Sequence, residues 1–233
     1  RTMPLGSSRF SVLSIGLFVL AQYLITGTAI AQQLYVVNDV EPQPLIASAV
    51  RLSDALEVIG SSLSAADGAA IQALADERPD AAMTTRIQQI LDSYCLAMVH
   101  ISPEARVQIL PGPAKPTLIQ SGWKSFLVKV HNEAGTNAEL AWESPNADPV
   151  VHRSSGQPTP RDENLISAGE LANRFLELSI YQRRPMKAQL SGLNLEYAII
   201  QIYTSAVGQR EASIGFHIGQ GTQDLGSRNA LSV

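Results

Sequence analysis

The chain contains 233 residues, of which 45% are hydrophobic and 16% are charged, and its formal net charge is −4 at pH 7. This composition excludes an intrinsically disordered chain, which has fewer apolar residues and more charge, and the single cysteine excludes a disulfide scaffold. The acidic balance argues against a nucleic-acid partner, which normally meets a basic face.

The first 31 residues have the features of a secretory signal peptide. Arg1 and Arg9 precede an uncharged apolar run that ends in TAIA at Ala31, and small residues at positions −3 and −1 are typical of a cleavage site. The alternative is an uncleaved membrane anchor, but the stretch over residues 10–25 is shorter than the roughly 20 residues that span a bilayer. We therefore expect cleavage near Ala31 and export to the periplasm or the extracellular space, with membrane contact only if the segment stays uncleaved.

A helical segment follows over residues 32–95. Apolar residues recur at spacings of three and four after Pro44, which places them on one face of a helix. Ser64 and Asp67 resemble a capping box at the start of a second helix, and Asp80 is a suitable N-cap for a third. The sequence thus predicts three short amphipathic helices.

From residue 96 the apolar pattern alternates instead. Short alternating runs occupy residues 96–101, 106–110, 125–131, 138–143, 176–180 and 211–218. Residues 193–204 are apolar on both faces around residues 198–202, which predicts a central strand. The connector PGPAKP at residues 111–116 could belong to neither a helix nor a central strand. Short strands with intervening turns indicate an antiparallel β-sandwich over residues 96–233. The overall expectation is an α+β fold, with a short N-terminal helical segment followed by this sandwich. The final alternating residues 230–233 stop abruptly, as a strand cut by truncation of the chain would.

Four histidines, namely His100, His131, His152 and His217, are the candidates for metal chemistry. None stands at the short spacing typical of zinc ligands, such as H-x-H or H-E-x-x-H. We therefore predict structural or surface histidines, and neither a catalytic residue, a metal site nor a cofactor in this chain. Cys95 lies between apolar residues in SYCLAMV, which predicts a buried and inert thiol.

The run GQGTQDLG at residues 219–226 is the most unusual local sequence. It follows a predicted strand but leads into another, and it lacks the lysine of a P-loop, so a phosphate site is not favoured. We interpret it as a turn that needs positive φ at its glycines. Within it, Gln220, Thr222, Gln223 and Asp224 are the candidate ligand-binding residues, because their side chains can hydrogen-bond a sugar or a protein.

Three stretches together carry a resemblance to a known family. They are GWKSFLVKVHNEAG at residues 122–135, LSGLNLEY with QIY between residues 190 and 203, and GQGTQDLG at residues 219–226. The combination resembles the N-terminal, non-catalytic region of large exported proteins grouped with the CehA/McbA-type metallohydrolases. The resemblance covers roughly residues 34–233.

The resemblance implies that the chemistry of such proteins belongs to a downstream PHP-like domain. In that domain, His and Asp residues hold metal ions, and the ions activate water. No motif of that domain occurs in these residues, so no catalytic residue can be transferred. The expected function is an accessory β-domain whose partner is a catalytic domain further along the same polypeptide. The alternative is a free-standing exported module that binds a glycan or a protein. A third hypothesis, that residues 34–233 are themselves catalytic, would require the scattered histidines to gather around a metal.

Overall fold

Three helices precede the strands in the computed structural model of the chain. The structure describes residues 33–147, 169 and 172–218, together with the backbone of residues 231–232. The helices are α1 (Pro42–Val58), α2 (Ala65–Asp76) and α3 (Ala81–Asp92). The strands are β1 (Cys95–Ile101), β2 (Val107–Pro111), β3 (Gly122–Asn132), β4 (Leu140–Glu143), β5 (Leu176–Ile180), β6 (Leu195–Thr204), β7 (Ser213–Ile218) and β8 (Leu231–Ser232). The fold is therefore α+β, as the sequence predicts.

The helix ends are set by local capping groups. Helix α1 ends shortly before Gly60, whose φ of 71° is the left-handed conformation common after a helix. The Ser64 hydroxyl oxygen accepts a hydrogen bond from the Asp67 N–H at 3.1 Å at the start of α2. The Asp80 carboxylate accepts one from the Met83 N–H at 2.8 Å at the start of α3. Both side-chain caps are the predicted ones, and each satisfies a backbone donor that the helix leaves unpaired.

The strands form two sheets. The central sheet has five strands in the order β2-β1-β3-β6-β5, and the second sheet has three in the order β4-β7-β8. Strands β1 and β3 run parallel, whereas the other neighbouring pairs are antiparallel. The prediction of a wholly antiparallel arrangement is therefore wrong at β1 and β3. The reason is the segment between β2 and β3, which carries the chain back across the end of the sheet instead of forming a hairpin turn.

Both faces of the central sheet are buried, which explains the apolar character of β6 on both sides. Leu127 and Ile199 belong to one core, which they form with the three helices. Val128 and Ile200 point the other way and share a second core with Trp142 of the three-stranded sheet. Side chains of successive residues alternate between these two cores, as the pleat requires. Strand β6 lies between β3 and β5, so its predicted place as a central strand is confirmed.

A charged network lies inside the first core. Lys129 of β3 is fully buried, and its Nζ donates hydrogen bonds to Asp92 Oδ2 at 2.7 Å and to the Tyr35 carbonyl oxygen at 2.9 Å. The Tyr197 hydroxyl of β6 donates to Asp92 Oδ1 at 2.8 Å. Burial raises the pKa of the Asp92 carboxyl, although Lys129 and Tyr197 oppose that rise. The network thus connects the N-terminal segment, the end of α3 and two central strands.

We predict that removing one partner of this ion pair strongly lowers the free energy of unfolding. Replacing Lys129 with Met leaves a buried carboxylate without its cation, so the free energy of unfolding should fall by about 3–5 kcal/mol. The double variant Lys129→Met/Asp92→Leu removes both charges and should lose clearly less than the sum of the two single changes. Urea unfolding of the full chain measures all three. Additive losses would show that the two side chains do not act as a pair.

Gly112 offers a second test, because the backbone packs closely there. Its N–H donates to the Leu96 carbonyl at 2.8 Å, and a Cβ at this position would lie 2.1 Å from the Cys95 carbonyl oxygen. Gly112→Ala should therefore destabilise the fold by about 1–3 kcal/mol or more. Gly68 is the matched control, because it lies in α2 with no atom within 4 Å of the added methyl. Gly68→Ala should stabilise by about 0.5–1 kcal/mol. Equal effects in urea unfolding would refute the packing argument.

Candidate functional site

Two histidines that are far apart in sequence lie side by side in the central sheet. His100 of β1 and His131 of β3 occupy matching positions of the parallel pair. Their rings stack with centroids 4.9 Å apart and an interplanar angle of 24°. Both stand near the carboxyl ends of their strands, so they lie at the same rim of the sheet.

Glu133 completes a group that we name the His-Glu cluster, consisting of His100, His131 and Glu133. The Glu133 N–H donates to the Ile101 carbonyl at 3.0 Å, which holds this residue beside the end of β1. One carboxylate oxygen lies 2.8 Å from His100 Nε2, and the other lies 3.8 Å from His131 Nε2. The side chains are 23%, 12% and 38% exposed for His100, His131 and Glu133. The cluster is therefore partly shielded but open to solvent.

Tyr35 holds the second nitrogen of His131. The Tyr35 hydroxyl lies 2.9 Å from His131 Nδ1, and the two rings meet edge to face at 5.8 Å. The backbone carbonyl of Tyr35 is the one that accepts from Lys129. Burial, followed by the charge of His100, lowers the pKa of His131. Burial, followed by the charge of Glu133, raises the pKa of Tyr35. At neutral pH the contact therefore joins a neutral imidazole to a protonated phenol.

A small cavity opens next to the cluster. It has a volume of about 220 Å³ and lies between the segment that leads into α1 and the segment that leads into β6. Asn194 lines it, and its side-chain amide donates to the Asn38 carbonyl at 3.2 Å. Asp39 and Glu41 add two carboxylates to the lining. The lining thus offers carboxylate and amide groups, and it includes Leu195, the residue paired with His131 in the sheet.

The donor set of the cluster is chemically suited to a metal ion. The three ligand atoms lie within 4.8 Å of one another. Two imidazole nitrogens and one carboxylate are ligands that Zn²⁺ and Cu²⁺ accept. The structure brings together two histidines that are far apart in sequence, while the prediction of structural or surface histidines without a metal stays a prediction. A search for closely spaced histidines could not find this pair, because His100 and His131 are 31 positions apart in the chain. They meet only through the parallel register of β1 and β3. The available signal was His131-x-Glu133, which puts two ligands on one side of a strand end.

Of the other residues singled out in the sequence, some lie in the described part of the chain and some lie outside it. His217 lies in β7 of the three-stranded sheet, and Cys95 is fully buried at the start of β1. The prediction of a buried thiol is confirmed. The backbone of residues 231–232 in the predicted last strand forms β8. The predicted signal segment, His152 and the four candidate ligand-binding residues lie outside the described residues; those four are Gln220, Thr222, Gln223 and Asp224. Among the helices that the structure describes, none is both long enough and apolar enough to cross a bilayer.

The inertness of Cys95 is testable. Burial, followed by the nearby Asp92 carboxylate, raises the pKa of the thiol well above its ordinary value. Because the thiolate is the reactive form, the folded chain should react with Ellman's reagent at pH 8 far more slowly than the urea-unfolded chain. The sequence has no other cysteine, so the whole absorbance change reports this residue. A native rate close to that of a free thiol would contradict burial of the thiol.

Comparisons with known proteins found no match to this chain among protein families, curated proteins or solved structures.

Proposed function

We propose that the chain is a non-catalytic binding module of an exported protein, and that it accompanies the catalytic domain of a metal-dependent hydrolase in the same polypeptide. The N-terminal sequence that ends at Ala31 supports export. The likeness of residues 122–135 and 190–203 to the CehA/McbA-type proteins supports the accessory role. The observation that supports binding is an exposed aromatic surface at one end of the central sheet.

This aromatic surface is formed by Trp123 of β3 and Tyr203 of β6. The two residues are direct neighbours in the antiparallel register, and their ring centroids lie 5.5 Å apart. Trp123 is 45% exposed, and Ile119, on the segment just before β3, is 50% exposed. Solvent-exposed clusters of large apolar side chains mark interaction sites more often than single exposed apolar residues do. Trp and Tyr are among the residues that most often anchor a ligand or partner.

Polar groups surround these rings on the same face of the sheet. Ser125 of β3 pairs with Gln201 of β6, two residues along each strand from the aromatic pair. Glu177 of β5 lies opposite Tyr203. Glu177 is exposed, and the other two are half-buried. A sugar ring combines an apolar C–H face, which stacks on an aromatic ring, with hydroxyls that need hydrogen-bond partners. The surface offers both, so a glycan is the ligand that we assign to it.

The architecture supports this location of the binding surface. We propose that the two sheets form a β-sandwich, since Val128 and Ile200 of the central sheet share a core with Trp142 and Phe216 of the other sheet. The helices pack against the opposite face through Leu127. Both faces are then occupied over most of their length, and the end that carries the aromatic pair is left open to a ligand.

A glycan array with the full chain tests the binding role. Trp123→Ala should lower the affinity for any bound glycan at least tenfold, because an anchoring aromatic contributes about 2 kcal/mol or more. Val58→Ala is the matched control, because it removes another exposed apolar side chain at the end of α1, where it is 76% exposed. Equal affinity in both variants, or no glycan bound by the wild type, would refute this ligand.

The accessory role has a separate test in the gene. The reading frame beyond the codon for Val233 should encode a PHP-like domain with closely spaced His and Asp ligands. A stop codon directly after Val233 would refute the accessory role and leave the free-standing binding module as the remaining function.

A further inference from the structure

We propose that His100, His131 and Glu133 bind one divalent transition-metal ion of the Zn²⁺ and Cu²⁺ class at the rim of the central sheet. The site is independent of the glycan surface. Trp123 lies close to the start of β3 and His131 lies close to its end. At about 3.3 Å per residue, the two surfaces are therefore roughly 26 Å apart.

The cluster can hold one ion after one imidazole turns out of the stack, because the two rings are only 24° from parallel and their in-plane lone pairs do not yet meet at one point. Zn²⁺ binds nitrogen and oxygen at about 2.0–2.2 Å, so neighbouring ligands around a tetrahedral ion lie roughly 3.3 Å apart. The two contacts of the Glu133 carboxylate, 2.8 Å to His100 Nε2 and 3.8 Å to His131 Nε2, lie on either side of that value. The two contacts come from different carboxylate oxygens, and Glu133 is the most exposed member of the cluster, so its side chain can turn to offer one oxygen to an ion between the imidazoles.

The backbone supplies rigidity. His100 and His131 are fixed by the parallel pairing of β1 and β3, and Glu133 is tied to the end of β1 by its hydrogen bond to the Ile101 carbonyl. A site on paired strands holds its ligands in place before the ion arrives, which lowers the ordering cost of binding.

The Tyr35 contact is compatible with the tautomer that a metal requires. If His131 carries its proton on Nδ1, it donates to the Tyr35 hydroxyl oxygen 2.9 Å away and leaves a lone pair on Nε2, the nitrogen that faces Glu133. Metal-binding histidines almost always donate their other N–H to an oxygen in this way. Lys129 holds the Tyr35 backbone in turn.

The competing interpretation is a simple ion pair between His100 and Glu133. That pair would use the 2.8 Å contact and require a protonated His100, but it has no use for the third ligand or for the Tyr35 contact. Three protein ligands with solvent access leave a fourth coordination position for water or another ligand. The site would therefore differ from a closed structural zinc site in exchanging its ion readily.

Isothermal titration of the full chain with Zn²⁺, and separately with Cu²⁺, tests the proposal. The protein should carry an affinity tag without histidine. One equivalent should bind with micromolar or tighter affinity. His100→Gln and His131→Gln should each weaken binding by more than 100-fold, since losing even the oxygen partner of a ligating histidine costs about 10–100-fold. His217→Gln is the matched control and should bind as the wild type does.

Tyr35→Phe separates this site from an adventitious one. It keeps all three ligands but removes the oxygen next to His131 Nδ1, so the affinity should fall about tenfold or more. Addition of Zn²⁺ should also raise the melting temperature of the wild type but not of His131→Gln, because an ion that binds only the folded state stabilises it. The melting curve without metal shows whether each variant is folded.

Three results would overturn the proposal. The first is a wild type that binds no Zn²⁺ or Cu²⁺ at millimolar concentration. The second is affinity unchanged in both histidine variants, which places the ion elsewhere. The third is a folded His100→Gln variant that Zn²⁺ stabilises as much as it stabilises the wild type. The Trp123→Ala variant should bind metal normally, so loss of the glycan function and loss of the metal site are separately measurable.

Discussion

The buried ion pair between Lys129 and Asp92 is the constraint on which the arrangement of the layers depends. A lysine without solvent contact is costly unless its ammonium is paired with an opposite charge and hydrogen-bonded. Lys129 meets this requirement with one carboxylate from α3 and one carbonyl from the segment before α1. The remaining carboxylate oxygen takes the Tyr197 hydroxyl. Apolar contacts alone would let the helices shift along the sheet. The hydrogen bonds of Lys129 and Asp92 are directional and permit one position, so we infer that they fix the helical layer in its register.

This constraint extends to the rim of the sheet. The carbonyl that Lys129 holds belongs to Tyr35, whose phenol reaches His131. The cluster at the rim is therefore built from two kinds of support. Strand pairing aligns the two imidazoles, and the anchored N-terminal segment orients one of them. Because Lys129 and His131 are two residues apart on the same face of β3, the buried pair and the open cluster form one continuous polar row beneath the helices.

Local signals were enough to predict the helices but not the direction of the strands. Ser64 and Asp80 each mark a helix start within a few residues of chain, so capping chemistry identifies them. Alternation shows that Val128 and Lys129 point to opposite faces, but it does not show that helices cover the face that holds Lys129. The nearness of His100 and His131 depends on parallel pairing, which no residue near either histidine encodes. The accessory role and export stay proposals because they depend on residues or domains outside the described part of the chain, whereas the proposal of a sandwich rests on the core that the two sheets share.

The pairing of β3 with β6 has a consequence for how the chain reaches its native state. Each residue of β3 meets a partner about 60–80 positions later in the sequence. Closing such a long loop costs entropy before any contact repays it, so chains rich in distant pairings fold slowly. During synthesis, β1 and β3 emerge well before the strand that closes them, with apolar edges exposed to other chains. The centre of the sheet therefore cannot assemble until β6 has been synthesised, and until then its apolar strands are liable to aggregate.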